Sequence, residues 1–359
     1  MFKYKVFSFI GLTILSISCG GDKNDEKNIF SIDTSTMKQA YNPSESIDLS
    51  LKNEKNKIID SVIYYLNDEN IGKTVKNEKF PFLLENQKLG FTKAKALVYF
   101  EGLTTETETN FTIYAKESPK ELKFTILNTY PHDIKAYTQG FEFYKDTLLE
   151  GTGNGEGAGT RTKGVSSLRK TDYKTGKVYK EIDLSEQYFG EGITVLNNKV
   201  FQLTWQNNEA YVYDINTFKK EKTLPYFKAK LEGWGLTNDG THLYMSDGSE
   251  KIYILNPDTF EMVDYINIYT NSNKIESINE LEWIDGKIWA NIYQRDAIAI
   301  INPKTGAVEN IINFSELRKK VTNHPDIDAF NGIAYNPIRK TIFVTGKNWD
   351  KTFEISIEK

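Results

Sequence analysis

A five-residue pattern returns five times in the C-terminal two thirds of this chain and leaves few folds open to it. Gln139-Gly140-Phe141-Glu142-Phe143, Glu191-Gly192-Ile193-Thr194-Val195, Glu232-Gly233-Trp234-Gly235-Leu236, Asn279-Glu280-Leu281-Glu282-Trp283 and Asn331-Gly332-Ile333-Ala334-Tyr335 start 52, 41, 47 and 52 residues apart. Behind each comes a turn and a second strand-like run (DTLLEGTG, NKVFQLTW, THLYMSDG, GKIWANIY, KTIFVTGK), then a third (SLRKTDY, AYVYDIN, KIYILNP, AIAIINP, TFEISI). In the first four repeats another turn, at Lys174-Thr175-Gly176, Asn216-Thr217, Pro257-Asp258 or Pro303-Lys304-Thr305-Gly306, leads to a fourth strand. Four short strands per repeat of about 40–50 residues make one propeller blade. The fifth repeat has only three strands. The run Leu122–Leu127 (LKFTIL), just ahead of the first repeat, is expected to supply its missing outer strand and so to close the ring without an unpaired edge.

The rest of the chain reads as three further pieces. Residues 1–19 carry Lys3 and Lys5, a short apolar run over 6–18, and Ser18-Cys19-Gly20. That order is a secretory signal ending in a lipobox-like site, with Cys19 as the expected lipidated N-terminus. Ser16 stands where Leu is commoner. Residues 20–28 (GGDKNDEKN) are polar and without apolar periodicity, as in a flexible tether. Across residues 29–118, the runs Ser46–Leu51, Asp60–Leu66, Ala94–Phe100 and Thr109–Tyr114 are separated by polar or Gly clusters, the pattern of a small Ig-like β-sandwich. Gly72-Lys73-Thr74 lacks the first glycine and the strand–loop–helix setting of a P-loop and reads as a turn. The fold class is therefore all-β: a small sandwich followed by a five-bladed propeller over 119–359.

Composition removes several function classes. A net charge of −4 gives no basic field for nucleic acid. A single cysteine permits no internal disulfide. His132, His242 and His324 lack metal-ligand spacing, and neither a G-x-S-x-G elbow nor an EF-hand loop occurs. The Gly-rich stretch Gly151–Gly159 lies between strands rather than before a helix and reads as a mobile loop. Chemistry is instead expected on the propeller axis. Gln139, Glu191, Glu232, Asn279 and Asn331 share one repeat position at the start of the channel-lining strand. The ends of the second strands add Trp205, Asp247, Tyr293 and Lys347, and Trp234 follows Glu232. Polar groups ringed by aromatics suit a small ligand; a water-filled structural channel would look the same at this level. Repeat position alone does not choose between Glu191 and Glu232 as a reactive carboxylate.

Several segments resemble the plant- and bacterial-type glutamine cyclotransferases (glutaminyl cyclases): Tyr137-Thr138-Gln139-Gly140-Phe141, Ser166-Ser167-Leu168-Arg169, Tyr188-Phe189-Gly190-Glu191-Gly192, Gln202-Leu203-Thr204-Trp205, Glu232-Gly233-Trp234-Gly235-Leu236-Thr237, Met245-Ser246-Asp247-Gly248-Ser249, Asn279-Glu280-Leu281-Glu282, Asn331-Gly332-Ile333-Ala334 and Val344-Thr345-Gly346-Lys347. The resemblance covers about residues 121–359. It implies a five-bladed propeller that converts N-terminal glutamine to pyroglutamate and releases ammonia. It implies Glu191 as the catalytic acid/base, with Gln139, Trp205, Trp234, Asn279, Tyr293 and Lys347 lining the pocket. It implies no cofactor and no metal. Tyr293 stands where the family usually has Trp, and the loop from Gly151 to Gly164 is longer than usual. Peptides or proteins with an N-terminal Gln are the expected partners, nucleic acid is not, and a monomer held at a bacterial cell envelope (outer membrane or periplasmic face) by its lipid is expected. The competing readings are a non-catalytic surface binding propeller and a metal-dependent, lactonase-like propeller hydrolase.

Overall fold

The computed structural model describes residues 29–155 and 165–358. Cys19, the signal, the tether and residues 156–164 lie outside the described residues; Gly151, read as the start of a loop, ends the strand Thr147–Thr152 together with Thr152.

Five sheets account for the repeats, each with four antiparallel strands and the fourth with one added parallel edge strand. The innermost strands are Thr138–Tyr144, Gly190–Leu196, Leu236–Asn238, Ile278–Ile284 and Phe330–Asn336. Each packs beside the next, and the last packs beside the first, so the sheets form a closed ring. Burial follows from that position. Gly190–Leu196 is buried along nearly its whole length because both faces meet neighbouring blades. The outer strand Lys177–Asp183 alternates exposed and half-buried residues because only one face does. Tight turns join inner and second strands where the sequence tolerates positive φ: Asn197-Asn198 at 52° and 61°, Asp285-Gly286 at 48° and 77°. Apolar wedges fill the gaps between blades; the largest, between the fourth and fifth, gathers Phe314, Phe330, Trp349 and Phe353.

The ring closes through the segment just before the first repeat, two residues further along than expected at its start. The outer strand of the fifth blade is Phe124–Pro131, paired antiparallel with Lys351–Ile357 from Phe124↔Ile357 to Pro131↔Lys351. Lys120–Leu122 goes elsewhere, parallel to Val308–Asn313 on the outer edge of the fourth blade. Alternation explains the shift. Phe124 and Ile126 pack on the wedge between the fourth and fifth blades, and a bulge between Ile126 and Asn128 lets the strand continue to Pro131.

Ahead of the propeller, the described chain forms a five-stranded sheet with Ile59–Leu66, Glu69–Val75, Gly90–Phe100 and Leu103–Ile113, joined by Ala40–Tyr41 in parallel at its edge, and two short strand pairs. Its core holds Ile47, Leu49, Val62, Tyr64, Val98 and Phe111. Gly72-Lys73-Thr74, read as a turn, lies inside the strand Glu69–Val75; the hairpin turn is Asn67-Asp68, both at positive φ. Contact clustering divides the chain into one unit containing residues 29–37, 48–80 and 93–109 and another containing 38–47, 81–92 and 110–359.

Closure predicts an asymmetric response to truncation. A chain starting at Tyr137 loses the partner of Lys351–Ile357 and should show a lower Tm and a larger aggregated fraction than one starting at Lys120. Thermal melts and size-exclusion profiles of the two check it; equal behaviour would refute the closure.

Candidate active site

Strand register defines which side chains share a level on the axis. The pairs Phe141↔Glu150, Ile193↔Gln202, Leu236↔Met245, Leu281↔Ala290 and Ile333↔Val344 are equivalent. In the first, second, fourth and fifth blades a bulge lies just before the pair, at Thr138/Gly140, Gly190/Ile193, Ile278/Leu281 and Phe330/Ile333. Two residues before each pair stand Gln139, Glu191, Trp234, Asn279 and Asn331. The third member is thus Trp234, not Glu232: the sequence alignment of that repeat is off by two. The signal lay in Leu236, which had to fall in register with Ile193 for its side chain to reach the core.

The ring is buried and polar. Glu191, Gln139, Asn279 and Asn331 are each at most 4% exposed. Gln139 Nε2 donates to Glu191 Oε1 at 3.2 Å. Asn331 Nδ2 donates to the Thr138 carbonyl at 2.9 Å and approaches Gln139 Oε1 at 3.5 Å. Asn279 Oδ1 and Asn331 Oδ1 are buried acceptors that no protein group satisfies among the described residues. Buried polar groups in this condition fit a site that a polar ligand completes.

The second-strand ends form another ring above it. Gly153, Trp205, Gly248, Tyr293 and Lys347 are equivalent, so Gly248 takes the place expected of Asp247, whose carboxylate instead accepts from Ser249 and Tyr253. A Cβ at Gly248 would lie 2.6 Å from the Trp234 ring, and its φ is +80°; only glycine leaves room for that indole. Trp234 meets Tyr293 edge-on, with centroids 5.7 Å apart. Lys347 Nζ lies 4.9 Å from the ring centres of both Tyr137 and Tyr293. Tyr137 in turn donates to Asp328 Oδ2 at 2.6 Å. Sequence reasoning did not select Tyr137 or Asp328; Tyr137 opens the YTQGF segment, whereas Asp328 lies in an irregular loop with no pattern to mark it.

Two carboxylates, two environments. Burial pushes the Glu191 carboxyl well above its ordinary range; Lys347 partly opposes this and Glu232 adds to it. Burial likewise lowers the Lys347 ammonium, against the pull of Glu191 and Asp328. Glu232 sits half-buried at the rim. Its Oε2 accepts the indole N–H groups of Trp205 at 2.8 Å and Trp234 at 3.0 Å, and its Oε1 accepts Gln206 Nε2 at 2.9 Å. Those donors outweigh its desolvation and hold it below the ordinary range. Burial thus favours the protonated form of Glu191, while the donors around Glu232 favour its anion, which ties two indoles together. Of the expected site residues, Gln139, Glu191, Trp205, Trp234, Tyr293 and Lys347 join through these contacts; Asn279 enters through its place in the ring, its carbonyl accepting Ser246 Oγ at 2.8 Å. Among the described residues no group of three His, Cys, Asp or Glu side chains could hold a metal ion. His132 is fully buried between the Trp349 carbonyl (2.7 Å) and Glu150 (3.0 Å).

A glutamine cyclotransferase family model matches residues 95–357. A glutaminyl-peptide cyclotransferase of Arabidopsis thaliana is 37% identical over 237 residues, 65% of this chain and 71% of the relative. The crystal structure of Myxococcus xanthus glutaminyl cyclase superposes with a TM-score of 0.60 at 30% identity, covering 67% of this chain and 98% of that one. The chain belongs to the glutamine cyclotransferase family.

Proposed function

We propose that this glutaminyl-peptide cyclotransferase works through one proton carrier, Glu191, set in a ring of fixed donors and acceptors. The activity closes an N-terminal glutamine into pyroglutamate: the α-amine attacks the γ-amide carbon, a C–N bond forms, and the amide nitrogen leaves as ammonia. Closure is intramolecular, so a pocket that keeps the side chain folded supplies much of the rate. The attacking amine must be neutral, and an α-amino pKa of about 7.7–8.0 makes this form available near neutrality. Glu191 takes the proton released on attack and delivers it to the departing nitrogen. Gln139, Asn279 and Lys347 are the candidates for holding the amide oxygen as it gains charge. Trp205, Trp234 and Tyr293 wall the pocket and limit competing hydrolysis. The observation that carries this reading is the contrast between Glu191, buried in the ring with Gln139 as its hydrogen-bond donor, and Glu232, which accepts two indole N–H groups and Gln206 at the rim.

The strands of residues 29–113 support an Ig-like sandwich serving as a spacer before residues 119–359. Peptides or proteins beginning with Gln are the substrates. Cys19, in its lipobox-like setting, supports a lipid anchor at a bacterial cell envelope. Cys19→Ala should release the protein from the membrane fraction or leave its signal uncleaved; an unchanged membrane fraction would count against the anchor.

Glu191→Gln should lose ammonia release from Gln-initiated dipeptides by about 10²–10⁴-fold, the usual cost of removing a proton-transfer group. Glu232→Gln should lose less and mostly through KM, because it loosens the indoles. Selective loss in Glu232→Gln would transfer the assignment.

Stability should show the same contrast. A carboxyl whose folded pKa lies above its ordinary value of 4.5 binds more protons folded than unfolded, so stability falls as pH rises from about 4.5 toward the folded pKa. Glu191→Gln lacks that loss. Its Tm relative to wild type should rise with pH over this window, and a constant difference would contradict the buried-carboxyl assignment.

A further inference from the structure

Directly beneath the polar ring, the same register aligns Gly140, Gly192, Gly235, Glu280 and Gly332. Three of the glycines are there because backbone meets backbone. A Cβ would lie 2.4 Å from Ile193 N at Gly140, 2.6 Å from Leu236 N at Gly192, and 1.9 Å from the Asn279 carbonyl oxygen at Gly235. The inner strands of blades one to four therefore stand shoulder to shoulder. Gly332 is looser: its Cβ would find only side-chain atoms, at 3.0 to 3.4 Å. On this side of the axis the fourth blade carries a glutamate instead.

The Glu280 carboxylate spans the opening. Oε1 accepts from Phe141 N at 3.1 Å, and Oε2 accepts from Ile333 N at 2.9 Å. Glu280 is 1% exposed. Each of its contacts lies next to a site residue. Asn279 precedes it in the chain, Phe141 N is two residues after Gln139, and Ile333 N is two after Asn331. One side chain thus fixes the backbone under three of the five ring members, in three different blades.

We propose that Glu280 is a positioning residue of the cyclisation: it forms the floor of the pocket, sets the spacing of Gln139, Asn279 and Asn331, and closes the axial channel against water from the far mouth. The inference rests on the cyclotransferase reading and adds a product-level consequence. With the floor intact, the α-amine alone reaches the γ-amide carbon. With it loosened, water can attack the same carbon; a C–O bond forms, the C–N bond breaks, ammonia leaves, and N-terminal glutamate results instead of pyroglutamate. Both routes release one ammonia, so ammonia alone does not separate them and the two peptide products must be resolved.

The experiment uses the full chain and a Gln-initiated dipeptide, with pyroglutamyl and glutamyl products quantified by mass spectrometry. Glu280→Gln keeps the volume but turns an amide N–H toward one of the two backbone N–H groups. It should raise KM about tenfold, the cost of a loosened binding contact, and raise the glutamyl fraction above the wild-type value. Glu280→Asp keeps the carboxyl group, withdraws both oxygens by one methylene, and should move both readouts the same way; it serves if Glu280→Gln does not fold. The control is Asp214→Ala, which removes the carboxylate that accepts from Thr217 N at 2.8 Å and Thr217 Oγ1 at 2.7 Å in an outer turn of the second blade. It should lower Tm while leaving KM and product ratio at wild-type values. Glu280 variants that lower Tm as Asp214→Ala does, with unchanged KM and unchanged product ratio, would overturn the inference and leave Glu280 a structural residue only. A wild type that releases no ammonia would overturn the cyclotransferase reading, and the inference with it.

Discussion

The pairing of Phe124–Pro131 with Lys351–Ile357 is the contact on which the remaining geometry depends. A ring of five sheets has no internal reason to stay closed. Each of the first four blades has a sequential antiparallel core, and neighbouring blades meet through apolar wedges and close inner-strand backbones. Two backbone ladders in the ring join segments distant in sequence, this one and the parallel pairing of Lys120–Leu122 with Val308–Asn313, and this one completes a blade. It is reinforced by Asn128 and Tyr130, which donate to Glu354 at 2.7 and 2.9 Å, and by the fork of Arg339 on the same carboxylate. That concentration of donors holds the Glu354 carboxyl down to about 2 despite its burial. Closure fixes the fifth blade against the first, and with it the distance between Lys347 and the Glu191 ring.

Inside that frame, the two carboxylates differ by solvation. Glu191 and Glu232 are both glutamates at pattern-matched places, yet one is buried with the Gln139 amide as its donor while the other accepts three hydrogen bonds at the rim. Pushing two titratable groups apart in this way is how a site obtains a proton carrier and a fixed charge from the same residue type. Lys347, buried over two tyrosine rings, completes the electrostatics: its charge lowers the Glu191 carboxyl partway without a direct ion pair among the hydrogen-bonded contacts.

The blades were legible in the sequence because each is a short-range object: strand, turn, strand, with Asn-Asn and Asp-Gly turns and apolar runs of the right length. Gln139, Glu191, Asn279 and Asn331 were legible because they recur at one repeat position. The third repeat misled because Glu232-Gly233 imitates Glu191-Gly192 two residues too early, and only the pairing of Leu236 with Met245 exposes the slip. Tyr137 and Asp328 were not legible as a pair, since their hydrogen bond joins residues 191 apart in sequence. The exact limits of the closing strand were missed for a similar reason: Leu122 and Phe124 are both apolar and pack on the same wedge, and only their pairing, with Val308–Asn313 or with Lys351–Ile357, says which blade each belongs to.

The closing ladder also makes the ring indifferent to its starting point. Phe124 lies opposite Ile357, and Glu358 N donates to the Lys123 carbonyl at 2.9 Å. The last strand of the ring therefore ends beside the first, in the geometry of a hairpin with its turn left open. In a chain cut before Lys123, a two- or three-residue linker there would convert the interruption into one more turn. The covalent break could then move to any exposed loop between blades, as a circular permutation, with every inner strand and every ring residue keeping its neighbours. Chain order in this fold is thus an accident of synthesis, while the catalytic arrangement is a property of the cycle.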